Sequence, residues 1–448
     1  MSAEIVDRLR EAGLRAGEEE RKGEMFRLAA DALAGPVGNA AENGIRCYVP
    51  GRIEVLGKHT DYAGGRSLLC AVERGICAVA LPRRDATVRI KDAGRKQECE
   101  FTLSADLDPR SEHWPVYPRT VARRIARNFP GPLCGMDMVF TSDLPRASGM
   151  SSSSALLICT YLLLERANGL ERRPEFESNI RGAEEKAAYL ACIENGQTFG
   201  TLVGDAGVGT FGGSEDHTAI LCSRPGMLRQ YAFCPTRLED EAAFSSEYAI
   251  LVVNCGVAAD KTGAARQKYN HASGAAAEIL KIWREATGRE DASLFAAATH
   301  AADAAERIRN VLRKHASARY SAQALVERFD QFVEESVQIV PEAMRAIRAN
   351  DWEAFGRAVD RSQALAEQKL GNQIPQTVAL ARSARELGGI AASAFGAGFG
   401  GSVWAMARAE RAADLLGRWQ EHYRQRFPVE AEKSTFLISA AGPAALVF

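Results

Sequence analysis

The chain has 448 residues, 46% of them hydrophobic and 25% charged, and its 56 basic side chains balance 57 acidic ones to a formal net charge of -1. So even a balance supplies no long-range field to hold a polyanion, which sets nucleic acid aside as the main partner. The length predicts two domains, with enough chain to bury a large core.

The opening stretch MSAEIVDRLREAGLRAGEEERKGE is charged from its fourth residue and has no apolar run of secretory type. No later run approaches the ~18 apolar residues of a membrane helix, so a cytoplasmic chain without a membrane anchor is expected. Ten cysteines form no C-x-x-C pair and mostly sit in apolar runs. That is the usage of reduced core residues, not of a zinc or disulfide framework.

Residues 1–44 read as an N-terminal helical extension, one or two charged amphipathic helices running out in the turn cluster GPVGNAAENG. From Cys47 onward, short β-like runs follow at 67–72, 76–81, 87–91 and 136–140, the last with Met136, Met138 and Phe140 at period two. Apolar helices are expected at 155–167 and about 179–193. A strand at 248–254, long helical patterns between Gly263 and Leu387, and strands at 391–395 and 403–407 complete an α+β pattern. Turn residues and a charge run in SRPGMLRQYAFCPTRLEDEAAFSSE suggest the boundary, giving domains at 45–235 and 236–448.

The segment Ala147-Ser148-Gly149-Met150-Ser151-Ser152-Ser153-Ser154 lies between a strand and an apolar helix. Small residues there let backbone N–H groups at the helix N-terminus approach an anion, and the serine hydroxyls suit an N-cap, a phosphate donor or a Mg²⁺ ligand. A plain serine-rich cap fits the same residues. Two other glycine patterns fail their context. Gly51-Arg-Ile-Glu-Val-Leu-Gly57-Lys58-His59 has one residue too many and no hydroxyl for a P-loop, and Gly396-Ala-Gly398-Phe-Gly400-Gly401 precedes a strand where a dinucleotide motif needs a helix. No serine completes a G-x-S-x-G elbow.

Three segments in order resemble the signature of the galactokinase-like GHMP kinases. Pro50-Gly-Arg-Ile-Glu-Val-Leu-Gly-Lys-His-Thr-Asp-Tyr62 resembles PGRVNLIGEHTDY, Pro145-Arg-Ala-Ser-Gly-Met-Ser-Ser-Ser-Ser154 resembles PxGxGLSSSA, and Gly396-Ala-Gly-Phe-Gly-Gly-Ser402 resembles GAGFGGC. The resemblance implies a two-domain α+β GHMP kinase fold. Its N-terminal domain has a mixed sheet and helices, its C-terminal domain is ferredoxin-like, and ATP and sugar meet between them. It also implies a monomeric, ATP- and Mg²⁺-dependent kinase that phosphorylates the anomeric hydroxyl of galactose or a related sugar. A uronic acid 1-kinase and a galactokinase-like sensor stand as alternatives.

Residue roles follow from the same resemblance. Asp216 would orient or deprotonate the sugar hydroxyl and Arg52 would hold it and neutralise the transferring phosphoryl group. His59, Asp61, Lys58, Glu54 and Tyr269 would line the sugar site. Trp114 and Tyr117 would border the adenine, beside the loop of Ala147 to Ser154. Glu194 with Ser152 or Ser153 would bind the metal. Each charged residue also has a bland reading as a solvated or ion-paired group. The sequence departs from the family at Lys58 and Glu54, which stand for Glu and Asn. These two could pair with each other, or Lys58 could face a carboxylate on the substrate. The glycine-rich stretch from Asn195 to Glu215 is longer than the family's and makes Asp205 and Glu215 substitute candidates for the metal. Gln373-Ile-Pro-Gln-Thr377 departs as well.

Overall fold

The structure, a computed structural model, describes residues 2–37, 43–111, 113–145, 148–259, 264–315 and 317–448. Helices α1 (Ser2–Glu11) and α2 (Glu18–Val37) lead into β1 (Ile45–Leu56), β2 (Arg66–Pro82), β3 (Thr87–Asp92), β4 (Gln97–Thr102), α3 (Val116–Asn128), β5 (Met136–Ser142) and α4 (Ser152–Asn168). Next come the one-turn α5 (Pro174–Glu177), α6 (Ala183–Asn195), α7 (Glu215–Cys222) and the hairpin β6 (Met227–Ala232) and β7 (Arg237–Ala243). Strand β8 (Tyr248–Asn254) is followed by α8 (Ala264–Thr287), α9 (Leu294–Thr299), α10 (Ala304–Lys314), α11 (Ala322–Val333), α12 (Val340–Arg348), α13 (Trp352–Leu365) and α14 (Pro375–Glu386). The order ends with β9 (Ala391–Phe395), β10 (Ser402–Arg408), α15 (Ala412–Arg426), α16 (Pro428–Ala431), β11 (Thr435–Ser439) and β12 (Leu446–Val447). Among the described residues no helix is long and apolar enough to cross a membrane.

Two sheets organise these elements. The eight-stranded sheet runs β12-β1-β2-β5-β3-β4, with β6 and β7 attached to the far end of β2; only β3 and β5 pair in parallel. The long β2 carries β5 along Ile76–Pro82 and β6 along Arg66–Leu69 on one edge. A four-stranded antiparallel sheet, β11-β8-β10-β9, forms the second half. Leu380, Ala384, Leu415, Trp419 and Tyr423 of α14 and α15 pack on one of its faces. The α+β architecture is the expected one.

The first sheet is buried on both faces. Met136, Met138 and Phe140 of β5 point to the main core with α3 and α4, as their period-two spacing predicts, but Val139 is buried as well. The cover on that side is α1 and α2, whose Leu9, Met25, Phe26, Ala29 and Leu33 pack against Tyr48, Cys77, Val79 and Val139. Each such large side chain contributes about 1.5–3 kcal/mol by leaving water. The first 44 residues are therefore no appendage: α1 and α2 complete the core, and α2 continues through Gly35 and Pro36, into the stretch expected to turn.

Long-range pairing also redraws the boundary expected at 235. The β6–β7 hairpin runs past it to Ala243 and still belongs to the first sheet, while β12 returns from the far end of the chain to pair Val447 with Cys47.

Candidate active site

The site begins with β1. Its pairing with β2 shifts register between Pro50 and Arg52 and again between Glu54 and Leu56, two irregularities that re-aim side chains. Arg52 and Glu54, two apart, share one face of the strand. A Cβ on Gly51 would lie 2.6 Å from Leu144 Cδ2 and 2.8 Å from Met150 O, so only glycine lets the serine loop lie this close to β1.

That loop delivers its serines in different directions. Ser151 enters α4 from a left-handed conformation (φ 57°) and no side chain caps the helix. Gly149, Ser151, Ser152 and Ser153 border an open cleft also lined by Trp114, Tyr117, Phe140 and Leu144. The Trp114 ring meets Phe140 edge-on, with centroids 6.0 Å apart. Ser151 Oγ is buried in this wall without a hydrogen-bond partner among the described residues.

Three described loop residues expected at the nucleotide, Ser148, Met150 and Ser154, do not line the cleft. Met150 is a core side chain, and Ser148 is buried with its carbonyl accepting from Ser402 Oγ at 2.6 Å. Ala147 lies outside the described residues. The expected hydroxyl partner of Glu194 also moves by one position: it is Ser154, not Ser152 or Ser153. Ser154 Oγ donates to Glu194 Oε2 at 2.9 Å and to Asp216 Oδ2 at 3.3 Å. The helical turn explains this, since successive side chains rotate by about 100° and Ser154 swings towards α6 and α7 as Ser152 and Ser153 face the cleft.

On the other side of Arg52 lies a second, smaller cavity, lined by Arg52, Glu54, His59, Asp61, Glu194, Glu215, Asp216 and Tyr269 among others. Asp216 sits in the first turn of α7. Arg52 Nε donates to its Oδ1 at 2.8 Å, Arg52 Nη2 lies 2.5 Å from the same oxygen, and Arg52 Nη1 donates to Gly149 O at 2.5 Å. Burial works against the charge on Arg52, but Asp216, Glu215 and Glu54 outweigh it and hold the guanidinium above its ordinary pKa. Asp61 Oδ2 accepts from the Glu215 N–H at 3.1 Å. Burial, reinforced by Glu54 and Asp61, pushes the Glu215 carboxyl well above the usual range, while Ser67 donates to its Oε2 at 2.8 Å.

The third motif is the turn joining β9 to β10, and it clamps the other two. Gly396 N–H donates to Glu54 Oε2 at 3.3 Å, Ala397 O lies 3.1 Å from His59 Nε2, and Ser402 holds Ser148. His59 Nδ1 is 3.0 Å from the Tyr62 hydroxyl, and the Tyr269 ring stands 5.1 Å from His59.

Lys58 is not among the residues that line the cavity. Its ammonium donates to Ser362 Oγ of α13 at 2.9 Å, and Ser362 donates to Glu335 Oε1 at 2.8 Å. The expectation that it meets the substrate is corrected by its partners, and no ion pair joins it to Glu54. Asp205, a substitute metal candidate, is bonded to Arg123 and lies 3.4 Å from Arg127, outside both cavities. Glu215 lines the cavity that holds Asp216. Sequence reasoning missed His217, whose Nε2 lies 3.3 Å from Glu194 Oε2, and the Ser362–Glu335 support of Lys58. His217 stood next to Asp216 in the motif, while the support comes from helices remote in sequence and left no local signal.

Over residues 38–82 the chain matches the galactokinase galactose-binding signature, over 116–195 the GHMP kinases N terminal domain, and over 343–425 the GHMP kinases C terminal. It is 28% identical over 357 residues to a galactokinase of Roseiflexus sp. (strain RS-1), covering 79% of this chain and 80% of that one. With a galactokinase of Haemophilus influenzae the identity is 24% over 404 residues, 89% and 93% of the two chains. The fold follows that of Lactococcus lactis galactokinase complexed with galactose at a TM-score of 0.75, over 93% of this chain and 98% of that one at 19% identity. A mevalonate kinase superposes at 0.55 over 89% and 99%, at 13% identity.

The chain thus resembles the GHMP kinases in both halves, as a phosphotransferase with an alcohol acceptor. It is galactokinase-like, an ATP-dependent sugar kinase.

Proposed function

We propose that the enzyme transfers the γ-phosphoryl group of ATP to the anomeric hydroxyl of galactose or a closely related neutral sugar. The observation that carries this reading is the position of Arg52, which borders both cavities, bonded to Asp216 in one and to Gly149 O of the serine loop in the other.

Phosphoryl transfer needs mainly positioning and charge neutralisation. Asp216 orients the acceptor hydroxyl and takes its proton as the new O–P bond forms and the β–γ bridging bond breaks. Arg52 fixes the Asp216 carboxylate through two nitrogens, which suits a loose transition state in which the acceptor is positioned before the proton leaves. Its guanidinium also faces the charge spread over the transferring group. Asp61, His59 and Tyr269 hold the sugar, and Trp114 and Tyr117 flank the base. The unpartnered Ser151 Oγ at the start of α4 fits a phosphate oxygen. Glu194 and Ser154 offer one carboxylate and one hydroxyl, the small protein share that magnesium takes beside phosphate oxygens. Magnesium, when bound, supplies neutralisation of the phosphate charge.

A coupled assay of ADP release with galactose and a panel of hexoses and pentoses tests the reading. Galactose-dependent turnover that collapses in Asp216→Asn is expected; no turnover with any sugar would overturn it.

A further inference from the structure

A third cavity lies apart from the two that meet at Arg52, between α8, α11, the segment that follows α13 and the turn joining β9 to β10. It shares no lining residue with either of them. Lys268, His271, Arg328 and Lys369 line it, Tyr320 and Phe399 give it aromatic walls, and its lining includes no Asp or Glu among the described residues. The cavity that holds Asp216 is the reverse, with the carboxylates of Glu54, Asp61, Glu194, Glu215 and Asp216 around Arg52. In a chain of net charge -1, Lys268, Arg328 and Lys369 around one hollow are a local surplus, and a concave wall focuses their field.

Arg328 is the buried member of the group, at 4% exposure, and its hydrogen-bond partners are all neutral. Nη1 donates to Gln331 Oε1 at 2.6 Å, while Nη2 donates to His59 O at 2.6 Å and to the Tyr62 hydroxyl at 3.0 Å. Its Nε makes no hydrogen bond among the described residues. A buried cation held by neutral groups carries a desolvation cost that an arriving anion offsets. Lys369 has a shared partner: its Nζ lies 3.4 Å from Asp330 Oδ2, and Asp330 Oδ1 accepts from Arg309 Nε at 2.7 Å. Lys268 Nζ stands 5.2 Å from the centroid of the Phe399 ring. On the far wall the His271 ring lies 4.6 Å from that of Tyr320, whose hydroxyl donates to His271 O at 3.0 Å.

We propose that this cavity binds a small phosphate ester, its dianion taken by Lys268, Lys369 and Arg328 and its body lying against Tyr320 and Phe399. A phosphate dianion brings three acceptor oxygens and the charge to match several cations, which a single carboxylate does not. The site is coupled to the sugar motif, because the same Arg328 holds the backbone oxygen of His59 and the hydroxyl of Tyr62. A ligand that draws on the guanidinium changes its hold on that loop, so occupancy shifts galactose KM and leaves ATP KM alone. Only the coupling rests on the sugar-kinase reading; the binding does not.

Isothermal titration calorimetry with inorganic phosphate and glucose 6-phosphate, with galactose and a non-hydrolysable ATP analogue in excess, tests the site while the two cavities at Arg52 are filled. Glucose 6-phosphate is expected to bind the wild type, inorganic phosphate to compete with it, and the Kd to rise roughly tenfold or more in Lys268→Met/Lys369→Met. Lys268→Met alone decides if the double variant does not fold. In steady-state kinetics the ester shifts the wild-type galactose KM roughly fivefold or more, and that of the variant much less. No binding to the wild type, no competition by inorganic phosphate, or an unchanged Kd in the variants overturns the site. A wild-type galactose KM that ignores the bound ester overturns the coupling. Absence of turnover with every sugar overturns the kinase reading, and the titration then still decides the site.

Discussion

Arg52 places two of its nitrogens on one oxygen of Asp216, at 2.8 and 2.5 Å, and its third on the carbonyl of Gly149. One guanidinium thus fixes the distance between the candidate base and the candidate phosphate loop, and the planar fork is what makes this possible. Asp216→Asn is expected to lower kcat by about 100-fold or more with little change in ATP KM. Arg52→Lys keeps the charge but not the fork, and a loss of about 100-fold is expected there too. Steady-state kinetics check both; a lysine variant near wild-type activity would show that charge alone suffices.

A second buried pair ties the N-terminal helices to the cleft beside the serine loop. Lys22, fully buried in α2, lies 2.5 Å from Asp143 Oδ2, and Asp143 is flanked by Ser142 and Leu144 of the cleft wall. Removing one partner of a buried pair costs about 3–5 kcal/mol. Arg21 and Arg74 remain within 3.3 and 3.4 Å of the same oxygen, which places Lys22→Met at the lower end. Urea unfolding should show that loss, and ATP KM should rise more than galactose KM.

The buried acids give stability a defined pH dependence. Because burial raises the folded-state pKa of Glu54 to about 7 from 4.5, the folded chain keeps a proton that the unfolded chain releases between those values. Stability therefore falls as pH rises from 4.5 to about 7 and is then flat, by roughly 3 kcal/mol for the full span. Lys58, Arg52, Glu215 and Glu335 face the same carboxyl and share in the titration. Urea midpoints measured from pH 4.5 to 8 should decline less steeply in Glu54→Gln than in the wild type, and parallel curves would contradict the assignment.

Gly213 makes room for the sugar-site acid. A Cβ there would stand 2.6 Å from Asp61 Oδ2 and 2.7 Å from the Tyr62 nitrogen. Gly213→Ala should displace Asp61 and raise galactose KM by roughly tenfold or more, since a shift of about 1 Å at a positioning residue is enough. ATP KM serves as the internal control.

Much of this site was legible in the sequence because its chemistry is local. Arg52, Asp61 and the Ser151 to Ser153 run occupy short motifs whose spacing survives folding, and the short, largely apolar runs of Tyr248–Asn254 and Ala391–Phe395 read as buried strands. The hairpin of β6 and β7 was not legible, because the charged run of Arg237–Ala243 lies at a sheet edge where few side chains need be apolar. Likewise nothing near Cys47 announces that Val447 pairs with it.

The sequence by itself determined the apolar helix behind the serine loop and the α+β class, since these follow from residue type and periodicity, while the pairing of Arg52 with Asp216, 164 residues apart, was implied only by the family resemblance. Only the tertiary structure decided that Lys58 turns to Ser362, that Ser154 takes the place beside Glu194, and that α1 and α2 close the first core. Each of these is set by side-chain direction or by a contact between segments far apart in the chain, and neither quantity is carried by local sequence pattern.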